Sequence, residues 1–95
     1  MEKVQEEVYN RVFNGLLRQI RDGVYPAGGR LPSSTALAEY LGVSRSTVLR
    51  VMERLRWVGL VVGPQGGIAR VASEPRRTEA LSIVDSAERV RGMAE

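Results

Sequence analysis

The sequence predicts a mostly α-helical domain carrying one small β-hairpin, and three observations lead to that prediction. Before residue 59, apolar residues recur at threes and fours in separate stretches, the spacing that gives a helix one buried face. Ser and Gly sit between those stretches where helices start and stop. After Gly59 the pattern changes to short β-prone runs separated by Gly and Pro, and a last amphipathic stretch follows.

From Val4 to Ile20 the positions Val4, Val8, Val12, Phe13, Leu16, Leu17 and Ile20 mark a first helix that ends near Asp22 and Gly23. Gly15 weakens it by about 1 kcal/mol relative to Ala and is expected to mark close packing of another element. GVYPAGGRLPSS reads as an ordered loop rather than a linker, anchored by Val24, Tyr25 and Leu31. Ser33 or Ser34 caps a second helix with Leu37, Ala38 and Leu41 on its apolar side, and Gly42 stops it. Ser44 caps a third helix, in which Val48, Val51, Met52, Leu55 and Val58 hold one face. Only Gly42 and Val43 separate the second helix from that cap, and two short helices joined by so tight a turn form a helix-turn-helix.

Leu60–Val62 and Ile68–Val71 are the β-prone runs, with Gly63, Pro64, Gly66 and Gly67 supplying the turn of a hairpin, or wing, that has Arg70 on its return strand. SEPRR reads as a hinge. From Thr78, the positions Ala80, Leu81, Ile83, Val84, Ala87 and Val90 make a last amphipathic helix of about four turns. The expected architecture is a winged helix-turn-helix over 1–72, a three-helix core plus wing, then a hinge over 73–77 and a C-terminal helix over 78–95.

A chain of 95 residues holds one domain with a modest core, and no separate effector-binding domain is expected within it. Its 43% hydrophobic and 26% charged residues are the balance of a folded domain rather than a disordered one. There is no Cys and no His, which removes disulfides, zinc fingers, thiol nucleophiles and imidazole bases, and argues against most catalytic chemistry. No enzyme activity, metal or other cofactor is therefore expected. No apolar run approaches the roughly 20 residues that span a bilayer, and the N-terminal stretch lacks the charged-then-apolar order of a signal peptide. A cytoplasmic location without membrane contact is expected. The net charge of +3 is unevenly placed, since residues 44–77 hold seven Arg against two Glu and leave −2 for the remainder. Such a local excess suits a phosphate-facing surface.

A helix presented by a tight turn fits the major groove of duplex DNA and meets base edges with its first residues. On a helical wheel Val48, Met52 and Leu55 mark the buried side of the third helix. Ser46, Arg50, Glu53 and Trp57 stand opposite, with Arg45 and Thr47 flanking them at the start. Arg45 is the first candidate to read guanine, because one guanidinium donates two hydrogen bonds to O6 and N7. Ser46 and Thr47 suit bases or phosphates, and the free backbone N–H groups near Ser44 lie at the positive end of the helix dipole, where a phosphate binds. Arg50, Arg54 and Arg70 are either phosphate contacts or solvated charges. Gln65 to Gly67 form a wing tip that either approaches the minor groove or is a plain hairpin turn. Trp57 and Val58 form an apolar pair in need of a cover, from the last helix or a partner chain. Tyr9, Phe13 and Tyr40 read as core, and GPQGG lacks the Lys and Ser/Thr of a nucleotide-binding loop.

The stretch LPSSTALAEYLGVSRSTVLRVMERLRWVGLV resembles the DNA-binding domain of the GntR family of bacterial regulators. With IRDGVYPAGGRLPSS before it and the Gly-rich wing after it, the resemblance runs from about Tyr9 to Val71. It implies a transcriptional regulator, with repression as the family default, that touches duplex DNA at Ser33, Arg45, Ser46, Thr47 and the wing tip around Gly66. Two positions depart from the family pattern. Thr35 stands where such proteins usually have Arg, and Leu49 replaces an Arg that commonly contacts DNA. Leu49 reads either as a contact to a thymine methyl or as the edge of the core.

One helix-turn-helix makes too few base contacts for strong discrimination, so a homodimer on a palindromic operator is expected. The stripe Leu81, Val84, Ala87 and Val90 is the candidate dimer interface, helped by the first helix. Three other readings stay open at this point: an architectural or plasmid-partition protein that coats repeated sites, a winged helix used as a protein-interaction module, and one part of a larger regulator with a sensor domain.

Overall fold

Val12, Phe13, Leu16, Leu17 and Ile20 fall on one face of α1 (Glu2–Arg21), and all five are buried. The computed structural model describes the backbone of residues 2–64 and 67–94, with side chains for 4–64 and 67–87. The first turns of α1 run past the core, so Val8 and Tyr9 are half-buried and Val4, expected on the buried face, is exposed. Gly15 is not a close-packing site either, since a Cβ there would meet nothing within 4 Å.

Ser33 rather than Ser34 caps α2 (Ser34–Leu41), its hydroxyl accepting the Ala36 N–H at 3.1 Å. Gly42 ends that helix at φ +67°, a left-handed conformation that glycine adopts without strain, and its N–H returns to the last carbonyls of α2. Ser44 then caps α3 (Arg45–Trp57) by accepting the Thr47 N–H at 3.2 Å. Leu37 and Ala38 of α2 meet Val48, Val51, Met52 and Leu55 of α3 in the same buried cluster as the α1 face. Tyr40, expected in the core, is 81% exposed. An eight-residue helix has room for one narrow apolar stripe, and Leu37, Ala38 and half-buried Leu41 fill it.

β1 (Val61–Val62) and β2 (Arg70–Val71) pair antiparallel, Val61 opposite Val71 and Val62 opposite Arg70. Both strands are shorter than the β-prone runs suggested, but the ladder continues on the outer side of β2. The Leu31 N–H donates to Ala69 O at 2.9 Å and the Val71 N–H to Gly29 O at 2.8 Å. Residues 28–31 of the loop before α2 are thereby held against the wing. Leu31 is buried and Tyr25 half-buried, as an anchored loop requires, whereas Val24 is exposed and anchors nothing.

The expected hinge is shorter than five residues, because α4 (Arg76–Ala94) begins two residues before Thr78. The Glu74 carboxylate accepts the Thr78 N–H at 3.0 Å and the Thr78 hydroxyl at 2.9 Å, capping the new helix. The Thr78 hydroxyl, aided by the Thr78 N–H and the Arg77 charge, holds the Glu74 carboxyl below the ordinary carboxylate value against the opposing effect of desolvation. Arg77 donates to Ile20 O at 2.9 Å and Arg21 O at 3.2 Å, the last two carbonyls of α1, and Arg21 pairs with Asp85. These ties lay the first turns of α4 on the domain, where Ala80, Leu81 and Val84 join the core. Leu81 and Val84, expected to await a partner chain, are therefore used within this one. Ala87 is exposed, and the side chain of Val90 lies outside the described residues. Nor does α4 cover Trp57, which is 85% exposed, while Val58 is half-buried against the core.

Candidate nucleic-acid interface

Because α3 is capped by Ser44 immediately after the Gly42 turn, its first residues project from the body of the domain. On one side of that projecting end lies a groove of about 590 Å³ between α3, the start of α2 and the wing. Arg45, Leu49, Met52 and Arg56, spaced at four, three and four along one face of α3, form one wall, and Ser33, Ser34, Thr35, Arg30 and Ile68 are among the residues opposite and around it. No carboxylate is among the described residues that line it. Ser33 and Arg45, both expected at the site, thus meet here.

On the other side of the same helix end, a second hollow of about 350 Å³ brings together Ser44, Ser46, Thr47 and Arg50 with Arg11 of α1. The Ser44 hydroxyl is held at 2.8 Å from the Thr47 hydroxyl and 3.1 Å from that of Ser46. Its capping role therefore fixes a cluster of three hydroxyls at the leading edge of α3. Arg50 is turned sideways, its guanidinium 5.0 Å above the Tyr9 ring, and Arg54 lies 4.8 Å above Phe13 in the next turn. Each such contact is worth about 0.5–1 kcal/mol at an exposed site, so these two arginines help lock α3 to α1. The outward stripe Ser46, Arg50, Glu53 and Trp57 is accessible as the helical wheel requires, but the groove with the wing is formed by the adjacent face that carries Arg45 and Leu49.

Arg70 stands apart from the groove lining, exposed on β2 with its guanidinium 3.4 Å from Gly28 O. Gln65 and Gly66, the expected wing tip, lie outside the described residues.

Two arginines escape sequence reasoning. Arg30 precedes the α2 cap in a loop whose pairing with Arg70 only the fold reveals. Arg56 donates to Gly63 O at 3.0 Å and Pro64 O at 3.5 Å, tying the wing to the end of α3. Its spacing of eleven from Arg45, three helical turns, was the available signal for its place on the groove wall.

The sequence profile described as Bacterial regulatory proteins, gntR family, matches residues 8–71. The chain is 35% identical over 79 residues to the histidine utilization repressor of Pseudomonas aeruginosa, covering 83% of this chain and 31% of that protein. YtrA from Sulfolobus acidocaldarius, a GntR-family transcription factor, superposes with a TM-score of 0.63 at 28% identity, covering 92% of this chain and 86% of that one. The BusR of S. agalactiae, solved in complex with its busA-promotor DNA, shares the fold with a TM-score of 0.63 at 22% identity, covering 87% of this chain and 42% of that one. The chain spans about a third of the length of the curated relatives it matches first. Among the described residues no helix is long and apolar enough to cross a membrane. A profile matched from the middle of α1 through the wing, on a winged helix-turn-helix whose third helix is capped by Ser44, places the chain in the gntR family of bacterial regulatory proteins.

Proposed function

We propose that this chain binds double-stranded DNA sequence-specifically as the DNA-contacting part of a transcriptional repressor, working as a homodimer on a palindromic operator. The start of α3 enters the major groove and the wing lies beside the minor groove. The observation that carries the reading is the groove lined by Arg30, Arg45 and Arg56 with the hydroxyls of Ser33, Ser34 and Thr35 and no carboxylate among the described lining residues. A major groove is about 12 Å wide, enough to admit one helix with a phosphate strand on either side. The basic groove and the Ser44, Ser46, Thr47 hollow flank α3 on its two sides, which supports that arrangement. Arg45 reads base edges, Ser46 and Thr47 reach bases or phosphates, and the first N–H groups of α3 meet a phosphate. The repressor among the relatives supports repression as the sign of control.

Selection of bound sequences from random duplexes, followed by affinity measurements across a salt series, tests the proposal. The expected outcome is a two-fold symmetric sequence with half-site centres about 34 Å, or a multiple, apart. Log affinity should fall linearly with log salt by roughly 0.9 per phosphate contacted. Recovery of no enriched sequence, or affinity indifferent to salt, overturns it.

A further inference from the structure

Leu49 is half-buried on the groove wall, yet it is not among the partly buried side chains packed against the hydrophobic core. Its neighbours along that wall divide into two kinds. Met52, Leu31 and Ala69 are buried and belong to the core, whereas Ile68 on the wing is 48% exposed. Leu49 and Ile68 are thus accessible apolar side chains in a groove that also exposes Arg30, Ser33, Thr35, Arg45 and Gly67, with Arg45 one turn before Leu49 and Arg56 two turns after it. Leu49 donates no hydrogen bond, so it discriminates only by apolar contact. The major-groove edges of the four base pairs offer one apolar group, the C5-methyl of thymine.

We infer that Leu49, backed by Ile68, is a specificity-determining residue that selects thymine by its methyl group next to the base pair read by Arg45. This rests on the groove being the DNA-binding surface. The charge of the groove favours duplex DNA over an apolar peptide as its occupant, because three arginines line it and no described lining residue is acidic. The contact positions Leu49 over the base rather than the backbone, so it adds sequence preference without adding salt dependence.

The probe is the duplex recovered from random DNA by the parent protein, with each thymine replaced in turn by deoxyuridine, which lacks only the methyl. At one thymine in each half-site the parent should bind the deoxyuridine duplex about fourfold more weakly, the ratio expected for losing one buried methyl-sized group. Leu49→Ala should bring that ratio close to one while its melting temperature stays near that of the parent. Leu49→Arg should move the preference at the same position from a T·A pair towards G·C, which a guanidinium reads through O6 and N7. Parent binding indifferent to every methyl deletion, or an unchanged ratio in Leu49→Ala, overturns the inference and leaves sequence-specific DNA binding standing. Failure to recover any preferred duplex overturns both.

Discussion

Arg45 and Arg56 share one face of α3 but make opposite use of the same guanidinium. Arg56 spends its donors on the wing carbonyls of Gly63 and Pro64, whereas Arg45, a residue past the cap, is exposed at the mouth of the groove. Arg45→Ala is therefore expected to lower affinity for the selected operator by about 1–3 kcal/mol, the loss associated with a bidentate base contact. It should also relax preference at one base pair per half-site, and an unchanged titration against that duplex would remove Arg45 from the site. A different constraint acts at Gly63, which sits at φ +110° with the space for a Cβ only 2.4 Å from Ile68 O. Gly63→Ala should lower stability by about 1–3 kcal/mol through backbone strain, with the clash adding to it, and thermal melting reads the loss. The place of Arg45 at the start of α3 was readable in the sequence because a helix start after a Ser cap is a local signal. Tyr40 was misread because aromatic residues at helical spacing do not say which of them faces the core when the helix has only two turns.

At the scale of elements, the helix starts were the most readable feature, since Ser33 and Ser44 bond backbone N–H groups only three residues away. What local pattern could not reveal was the use of α4. From sequence alone SEPRR, over 73–77, reads as a hinge. Arg77 instead closes the end of α1, more than fifty residues earlier, and that contact exists only once both helices are placed. The cap of α4 gives a pH prediction. The folded-state pKa of Glu74 is lowered, so its contribution is fully present above the unfolded-state value of about 4.5 and is lost as pH falls through the lower folded value. Thermal melting of the parent and Glu74→Gln should differ most near neutrality and converge on acidification below the ordinary carboxylate range; a gap that persists unchanged in acid would mean that the charge is not what caps α4. Within α1, Gly15 has a helical environment and empty space where a Cβ would go. Gly15→Ala should raise stability by about 0.4–1 kcal/mol by restricting the unfolded chain and improving helix propensity, and denaturant unfolding checks the sign.

For the molecule as a whole, the uneven charge was visible from composition, but the structure divides it: of the seven arginines in 44–77 only Arg45 and Arg56 line the groove beside α3, where Arg30 joins them, while Arg50 and Arg54 lie over aromatic rings of α1. The use of the α4 stripe was only half readable, because apolar residues at helical spacing show that a face is covered and not by what. Leu81 and Val84 are covered by this chain's own core. Among the described residues, the outer side of α4 carries Ile83, 58% exposed, with exposed Ala87 one turn further on. If two copies pair on a two-fold DNA site, this outer side offers them an apolar surface on the helix that follows the wing, with Trp57 on α3 a second exposed apolar residue. Ile83→Lys leaves the inner face of α4 intact, so the monomer should melt close to the parent temperature. By sedimentation velocity at tens of micromolar the parent should run as a dimer and Ile83→Lys as a monomer, and the variant should bind a single half-site almost as well as the parent while losing most of its preference for the full palindrome. A parent that sediments as a monomer would end the dimer proposal. A variant that stays dimeric would move the interface elsewhere, with exposed Trp57 the next surface to substitute.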